Sequence, residues 1–520
     1  MDKVKKNGLI ILIYAGLIAV CLGIVWLIGE LNHPGGHGSG TSLEIESTQE
    51  QTETEETEES QGETEEKTES SSAQETETES QYPPVRQEGE NRKEHEIRPE
   101  ESQTEPEPYR PPTIAVASDI HYYPPELTDY GKAFETMTSR DDGKLVRYIP
   151  QLMDAFGDEM EALAPNAVIL SGDLTLNGER AAHEALAEKL RSMTERGIRV
   201  LVIPGNHDIN NRNAASYFGE EREAVSGIDA EDFLEIYHEF GYDLALSRDE
   251  ASLSYVWELD EKNWLMMLDS AQYEPVNLVG GRIKSETLEW MRQQLELAEE
   301  MGIHVTPVAH HNLLQESRLY PQDCTLENSR EVIELLEESH ISVYISGHLH
   351  LQRTKKYKPE PGEPEDICHI SEIVADSFAI PPCQYGILKW GEDGSVRYGT
   401  READVESWAA KNGVEDENLL NFREYGTQSL VNVIGSQIYG KMSSLPEEHM
   451  RKMAEIYGEL NRAYCAGVPV DEKEVRSEEG FRLWERNLPD SRMFEEMEDI
   501  LRDTKKDHNT WEYQAWQPEE

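Results

Sequence analysis

Five short polar clusters in this chain combine aspartate, asparagine and histidine, mostly beside glycine. They are Asp119-Ile120-His121, Gly172-Asp173, Gly205-Asn206-His207-Asp208, His310-His311 and Gly347-His348-Leu349-His350. Oxygen and nitrogen ligands without cysteine suit Mn, Fe or Zn in octahedral-like coordination, and glycine next to a ligand permits the tight turn that aims it inward. Because the clusters hold more ligand groups than one ion can take, the sequence predicts two divalent metal ions.

The predicted pair of ions is suited to phosphate chemistry. Two ions about 3.5–4 Å apart can share a hydroxide and clamp a phosphoryl group for in-line displacement, with one carboxylate bridging them. The Gly-His-x-His cluster is especially informative, since a chain of this composition would contain about 0.03 such clusters by chance. The Gly-Asn-His-Asp cluster is rarer still.

The clusters are expected to converge because each one follows a run of apolar residues that predicts a buried strand. These runs lie at residues 114–117, 167–170, 200–203, 305–308 and 343–345, with a sixth at 264–268. Helical periodicity occurs between them, near residues 144–163, 179–196, 284–300 and 328–340. Alternating strands and helices predict an α/β fold with much parallel sheet, in which ligands gather at the carboxyl ends of the strands.

With these motifs the chain resembles the calcineurin-like metallophosphoesterases over about residues 113–350. The resemblance implies a four-layer α-β-β-α sandwich and a specific set of metal ligands. Asp119, His121 and His350 would hold the first ion, Asp173 would bridge both ions, and Asn206, His310 and His348 would hold the second. His207 is similar to the family histidine that contacts the scissile phosphate or protonates the leaving group.

The sequence around Asp173 is most similar to the cyclic-nucleotide phosphodiesterase branch of this family. It reads Ser171-Gly172-Asp173-Leu174-Thr175 and is followed by Gly178. Within that branch, the chain is most similar to membrane-attached bacterial members with a helical C-terminal part. Purple acid phosphatases have a tyrosine ligand where this chain has Leu176, and phosphoprotein phosphatases have an acidic residue and an arginine at 176 and 177. The resemblance therefore favours hydrolysis of a small phosphodiester such as a cyclic nucleotide. A phosphomonoesterase acting on nucleotides or cell-envelope phosphates, and a catalytically inactive binding module, are the alternatives.

Several residues near the clusters are expected to have supporting roles. Asp208 should orient its loop and His311 should support the loop that carries its neighbour. His183 is predicted to lie on a helix surface, while Tyr122 and Tyr123 either pack or line the substrate mouth.

The N-terminal part of the chain predicts a membrane anchor and a spacer. Residues 8–29 form an uncharged apolar run of the length that spans a bilayer, and the lysines before it place residues 1–7 in the cytoplasm and the catalytic part outside. A cleaved signal peptide is the alternative. Residues 30–112, rich in Glu, Thr, Ser and Pro, predict a disordered acidic linker. The absence of an Asn-x-Ser/Thr sequon favours a bacterial source.

The remaining chain is predicted to form a metallophosphoesterase domain at residues 113–400 and a helical subdomain at 401–520. A β-hairpin at 385–399, with its turn at Gly391–Gly394, should close the first of these. The net charge of −56 disfavours a nucleic-acid polymer as partner and makes metal ions the expected source of local positive charge. Cys368 and Cys383 are the favoured disulfide pair, with free buried thiols the alternative.

Overall fold

The computed structural model describes residues 109–320, 323–358 and 370–513. The predicted membrane span 8–29, the linker up to residue 108, and Cys368 lie outside these residues. Within the described ranges, no helix combines the length and the apolar character that a bilayer span requires.

The described residues form a mixed α/β fold with a helical C-terminal region, as predicted. The strands are β1 (Thr113–Ala117), β2 (Ala167–Ser171), β3 (Val200–Ile203), β4 (Ala215–Phe218), β5 (Glu221–Ala224), β6 (Ser247–Arg248), β7 (Tyr255–Asp260), β8 (Asn263–Leu268), β9 (His304–Ala309), β10 (Val343–Ser346), β11 (Arg353–Lys356), β12 (Ser371–Val374), β13 (Gln384–Trp390), β14 (Val396–Glu402) and β15 (Thr510–Tyr513). The α-helices are α1 (Lys132–Thr138), α2 (Ile149–Leu163), α3 (Arg180–Glu195), α4 (Ala230–Tyr237), α5 (Ser285–Met301), α6 (Ser329–Glu338), α7 (Val405–Lys411), α8 (Glu417–Leu420), α9 (Phe422–Tyr439), α10 (Glu447–Cys465), α11 (Glu472–Ser477), α12 (Glu479–Asn487) and α13 (Arg492–Asp503).

Two mixed sheets carry the candidate site. The first has the order β15-β14-β13-β1-β2-β3, in which β1, β2 and β3 are parallel. The second has the order β11-β12-β10-β9-β8-β7-β6, in which β8, β9, β10 and β12 are parallel. The parallel strands of each sheet therefore place their carboxyl ends along one edge of that sheet.

Strand β8 shows how the second sheet is packed. Leu265 and Met267 belong to the same buried cluster as Val116 of the first sheet, whereas Trp264 and Met266 pack with Trp290 of α5. Because successive side chains of a strand point to opposite faces, the second sheet packs against the first sheet on one face and against helices on the other.

The C-terminal helices pack around a separate buried cluster. Trp484 of α12 is completely buried in it and donates a hydrogen bond from Nε1 to the Met453 carbonyl of α10 at 2.8 Å. Leu351 and Val374 bring the edge of the second sheet into the same cluster. The region predicted as purely helical also contributes β15, which returns to the first sheet and pairs antiparallel with β14.

The cysteines that the structure describes are free thiols: Cys324, Cys383 and Cys465. Cys383 is buried among core residues, so it corresponds to the free-thiol alternative rather than to the favoured disulfide.

Candidate metal centre

The side chains predicted to bind metal meet at the carboxyl ends of five strands. Asp119 and His121 follow β1, and Asp173 follows β2, while Asn206 follows β3. His310 follows β9, and both His348 and His350 follow β10. Because parallel strands place their carboxyl ends at the same edge of a sheet, the parallel order within each sheet accounts for this convergence.

One group of potential ligands consists of Asp119, His121, Asp173 and His350, whose donor atoms lie within 4.8 Å of one another. His350 Nε2 is 3.1 Å from His121 Nε2 and also 3.1 Å from Asp119 Oδ1. One proton cannot be shared by these two ring nitrogens and the carboxylate oxygen at the same time, whereas one cation between them can be coordinated by all three atoms. This donor set, in which only His350 is partly exposed, therefore fits a divalent metal ion.

A second group surrounds His310. Its Nε2 lies 3.2 Å from Asn206 Oδ1 and 3.3 Å from Asp173 Oδ2, and His348 offers a further nitrogen within the same 4.8 Å limit. Asp173 Oδ2 is in turn 4.0 Å from His121 Nε2 of the first group. One carboxylate thus lies between two sets of ligands, and this arrangement fits two ions rather than one.

Most of these imidazoles have one nitrogen fixed by an acceptor outside the centre. The pairs are His207 Nδ1 with Leu176 O at 2.6 Å, His310 Nδ1 with Ser171 O at 2.9 Å, His348 Nε2 with Asp323 O at 2.9 Å, and His350 Nδ1 with Asp142 Oδ2 at 2.6 Å. Each N–H donates to its acceptor, which sets the tautomer and leaves the other ring nitrogen for the centre.

The backbone of the site is strained in a consistent way. Five of the candidate ligands, Asp119, His121, Asp173, His348 and His350, have positive φ angles between 47° and 66°. A non-glycine residue in this left-handed region costs about 1–3 kcal/mol and persists only where the surroundings impose it. Gly347 shows how tightly the turn is imposed, because a Cβ there would collide with Ser118 Oγ and lie 2.7 Å from Asp119 Oδ2.

Electrostatics couple the acidic and basic members of the site. Burial alone would raise the pKa of Asp173, yet His310 and His207 hold it well below its usual value. Burial alone would lower the pKa of His310, but Asp173 and Asp119 raise it to about 9. In the absence of metal His310 therefore holds a second proton, which metal binding must release.

The supporting role predicted for Asp208 is confirmed. Its carboxylate accepts hydrogen bonds from the backbone N–H groups of Leu174, Thr175 and Gly205, at 2.8–3.1 Å. It thereby ties the loop after β2 to the loop after β3.

His311 lies within ligand distance of His310 and His348, but both of its ring nitrogens are already engaged. Nδ1 is 2.8 Å from Ser270 Oγ and Nε2 is 2.9 Å from the Val279 carbonyl. These contacts support the loop, as predicted.

The prediction for His183 was wrong. It is fully buried and contacts Tyr237 Oη and the Asp208 carbonyl, because α3 lies beneath the loop after β3 instead of presenting this residue to solvent. Tyr122 and Tyr123 are both buried. The hydroxyl of Tyr123 donates to the Leu127 and Ala215 carbonyls, so it packs rather than lining a substrate mouth.

Two residues at the site had no signal in the sequence analysis. Asp142 contacts His350 from an Asp-Asp-Gly segment that, as sequence, is typical of an ordinary turn. Asn277 donates from Nδ2 to the Asn206 carbonyl at 2.7 Å and to the Ile209 carbonyl at 2.8 Å. Neither residue follows a predicted strand, so neither joined the clusters.

Two comparisons relate this geometry to known protein families. Residues 112–352 match the family profile described as calcineurin-like phosphoesterase. Residues 404–507 match the profile described as the C-terminal domain of cyclic nucleotide phosphodiesterase. A search of curated proteins finds no match.

Solved structures similar to this chain include a dimetal phosphatase from Danio rerio, with 15% identity, 56% of this chain and 97% of that chain covered, and a TM-score of 0.38. A purple acid phosphatase from yellow lupin (Lupinus luteus) seeds shows 12% identity, with 56% of this chain and 51% of that chain covered, and a TM-score of 0.37. On the two profile matches, the chain contains a calcineurin-like phosphoesterase domain followed by the C-terminal domain of cyclic nucleotide phosphodiesterase.

Proposed function

We propose that this chain is a two-metal phosphoesterase that hydrolyses a small phosphodiester, a cyclic nucleotide being the favoured class. The observation that carries the proposal is the position of the Asp173 carboxylate between two sets of ligand atoms, 3.3 Å from His310 and 4.0 Å from His121. An ion-pair network that only stabilises the fold would not require two groups of imidazoles on either side of a single carboxylate.

The residues divide between two ions of Mn, Fe or Zn. Asp119, His121 and His350 would hold the first, and Asn206, His310 and His348 the second, with Asp173 serving both. When bound, the ions would supply Lewis acidity toward the phosphoryl oxygens and lower the pKa of a water nucleophile. They would also supply the positive charge that a chain of net charge −56 otherwise lacks for an anionic substrate.

His207 is proposed to donate the proton that the leaving group needs. Its Nε2 lies 3.9 Å from Asp173 Oδ2, and its side chain is 32% exposed, so the ring borders the centre and is open to substrate. Because Nδ1–H donates to the Leu176 carbonyl, only the doubly protonated ring carries a proton at Nε2. That proton can pass to the leaving-group oxygen as the phosphoester bond breaks.

A substrate panel tests the function. A fragment beginning at residue 109, loaded with Mn, is assayed on cyclic nucleotides, an aryl phosphodiester and an aryl phosphomonoester, with Asp173→Asn as the inactive control. We expect diester turnover well above monoester turnover, since the C-terminal match is to a cyclic nucleotide phosphodiesterase domain. Monoester preference would favour the phosphomonoesterase alternative, and metal binding without any turnover would favour an inactive binding module.

We also propose that residues 8–29 anchor the chain in the cell membrane with the catalytic part outside. The proposal is supported by the length and apolar character of that run. Full-length protein should stay with membranes after alkaline extraction, whereas a chain lacking residues 1–29 should not. A mature chain starting near residue 30 in the medium would overturn the anchor.

A further inference from the structure

Asp142 lies outside the five clusters, yet it makes one of the shortest contacts to a candidate ligand. We propose that Asp142 is a positioning residue for His350, and that helix α9 of the C-terminal region holds it in place. The inference rests on the metal-dependent function proposed above and assigns the C-terminal region a part in metal binding.

The first step is the contact with His350. Asp142 Oδ2 accepts a hydrogen bond from His350 Nδ1–H at 2.6 Å, while His350 Nε2 points at Asp119 Oδ1 at 3.1 Å. A carboxylate on the outer nitrogen of a ligating histidine fixes the ring and makes the inner nitrogen a better donor. Asp142 therefore orients Nε2 toward the first metal position.

The second step is the way in which Asp142 is itself held. Its other oxygen, Oδ1, pairs with Lys144 Nζ at 2.6 Å, and the same ammonium group reaches Asp141 Oδ1 at 3.0 Å. The Lys144 side chain is only 6% exposed, whereas the Asp142 side chain is 44% exposed, so the bridge is sheltered from solvent on the lysine side. Both carboxylate oxygens of Asp142 are thus engaged, which restricts its rotation.

The third step is the cover that α9 provides. Gln437 of α9 donates from Nε2 to the Asp141 carbonyl at 2.7 Å. Gly143, at φ 104°, lies so close to Leu430 of α9 that a Cβ on it would collide with Leu430 Cδ1. The segment from Asp141 to Lys144 is therefore confined between His350 and α9, and the C-terminal region acts on the metal centre through Asp142.

The test measures metal affinity on the full-length protein. Mn binding to wild type, Asp142→Asn and Asp142→Glu is followed by titration calorimetry and by the electron paramagnetic resonance signal of free Mn. We expect Asp142→Asn to weaken one of two sites about 10–100-fold and leave the other unchanged. Asp142→Glu should recover part of the loss, because it restores a carboxylate for His350.

Asp141→Asn is the matched control, because it removes a negative charge beside Lys144 without changing any atom that contacts His350. Its effect on Mn affinity should be clearly smaller than that of Asp142→Asn, while Gln437→Ala should produce a partial loss at the same site. Unchanged affinity in Asp142→Asn, or equal losses in Asp141→Asn and Asp142→Asn, would overturn the inference. Wild type that binds two ions and hydrolyses nothing would instead overturn the proposed function alone.

Discussion

Asp173 is the residue on which both sets of candidate ligands depend. We expect Asp173→Asn to lower Mn content more than any other single ligand change and to reduce turnover by more than about 100-fold. An amide does not supply the negative charge that offsets repulsion between two ions. Metal analysis of purified Asp173→Asn and of purified Asp119→Asn checks whether the first variant loses more Mn than the second. Two ions per chain with near-normal turnover would show that Asp173 does not bridge.

His207 should separate chemistry from metal binding. We expect His207→Ala to keep two ions per chain, because its Nδ1 already donates to the Leu176 carbonyl and its Nε2 is assigned to the substrate. Turnover should fall by about 10²–10⁴-fold for an alkyl diester and less for a nitrophenyl diester, whose leaving group needs little protonation. Rates on both esters and metal content provide the comparison. Equal losses on the two esters would argue against an acid role.

The five clusters that contain the candidate ligands could be found in the sequence because each lies within a few residues of a strand end, whereas the assignment of ligands to two ions came from the family resemblance. Asp142 could not, since its contact joins residues 208 positions apart and depends on a loop conformation. The prediction of an exposed His183 failed for the same reason, because its spacing within the helix gives no information about the loop that covers it. Whether the seven ligands bind metal stays a prediction.

At the scale of elements, the glycine before His348 controls how closely β10 and β1 approach at their carboxyl ends. Gly347→Ala should disturb the site, because the added methyl group would collide with Ser118 Oγ and crowd Asp119. We expect at least about 10-fold weaker Mn binding and a lower melting temperature. Gly440→Ala is the matched control, since nothing lies within 4 Å of its Cβ position. Equal Mn affinities and melting temperatures in the two variants would contradict the conclusion that Gly347 controls how closely β10 and β1 approach.

Several strands predicted from apolar runs are buried on both faces, whereas the half-exposed β14 was predicted from its hairpin turn. β2 and β3 consist entirely of buried residues, so each forms a continuous apolar run. β11, with the sequence Arg-Thr-Lys-Lys, and the half-exposed β15 have no such pattern. Their pairing is decided by the neighbouring edge strand, and a local pattern does not contain that information.

Glu372 makes the stability of the whole molecule depend on pH. The residue is fully buried and accepts hydrogen bonds from Leu313 N, Leu314 N and Ser346 Oγ. Burial raises its pKa from 4.5 to about 7. Burial and Glu372 together raise the pKa of the neighbouring Glu316, against the charges of Lys355 and Arg353. The folded chain therefore keeps a proton on Glu372 that the unfolded chain has already released.

Between about pH 4.5 and 7 the folded state binds more protons at Glu372 than the unfolded state does, so stability falls as pH rises. One proton corresponds to at most about 1.4 kcal/mol per pH unit. Glu372→Gln should flatten this dependence, which melting temperatures of both proteins from pH 5 to pH 8 would reveal. Parallel curves for the two proteins would show that Glu372 is not the group responsible.

The pairing of β15 with β14 has a consequence for biosynthesis. β14 ends at Glu402, but its outer partner begins at Thr510, after all the C-terminal helices. While the ribosome is still translating those helices, the edge of the nascent first sheet is the seven-residue β14 instead of the four-residue β15, and a long open edge recruits strands from other chains more readily than a short one. The unfinished polypeptide is therefore more prone to strand pairing with another copy than the finished one. A translational pause before codon 510 would lengthen that exposure.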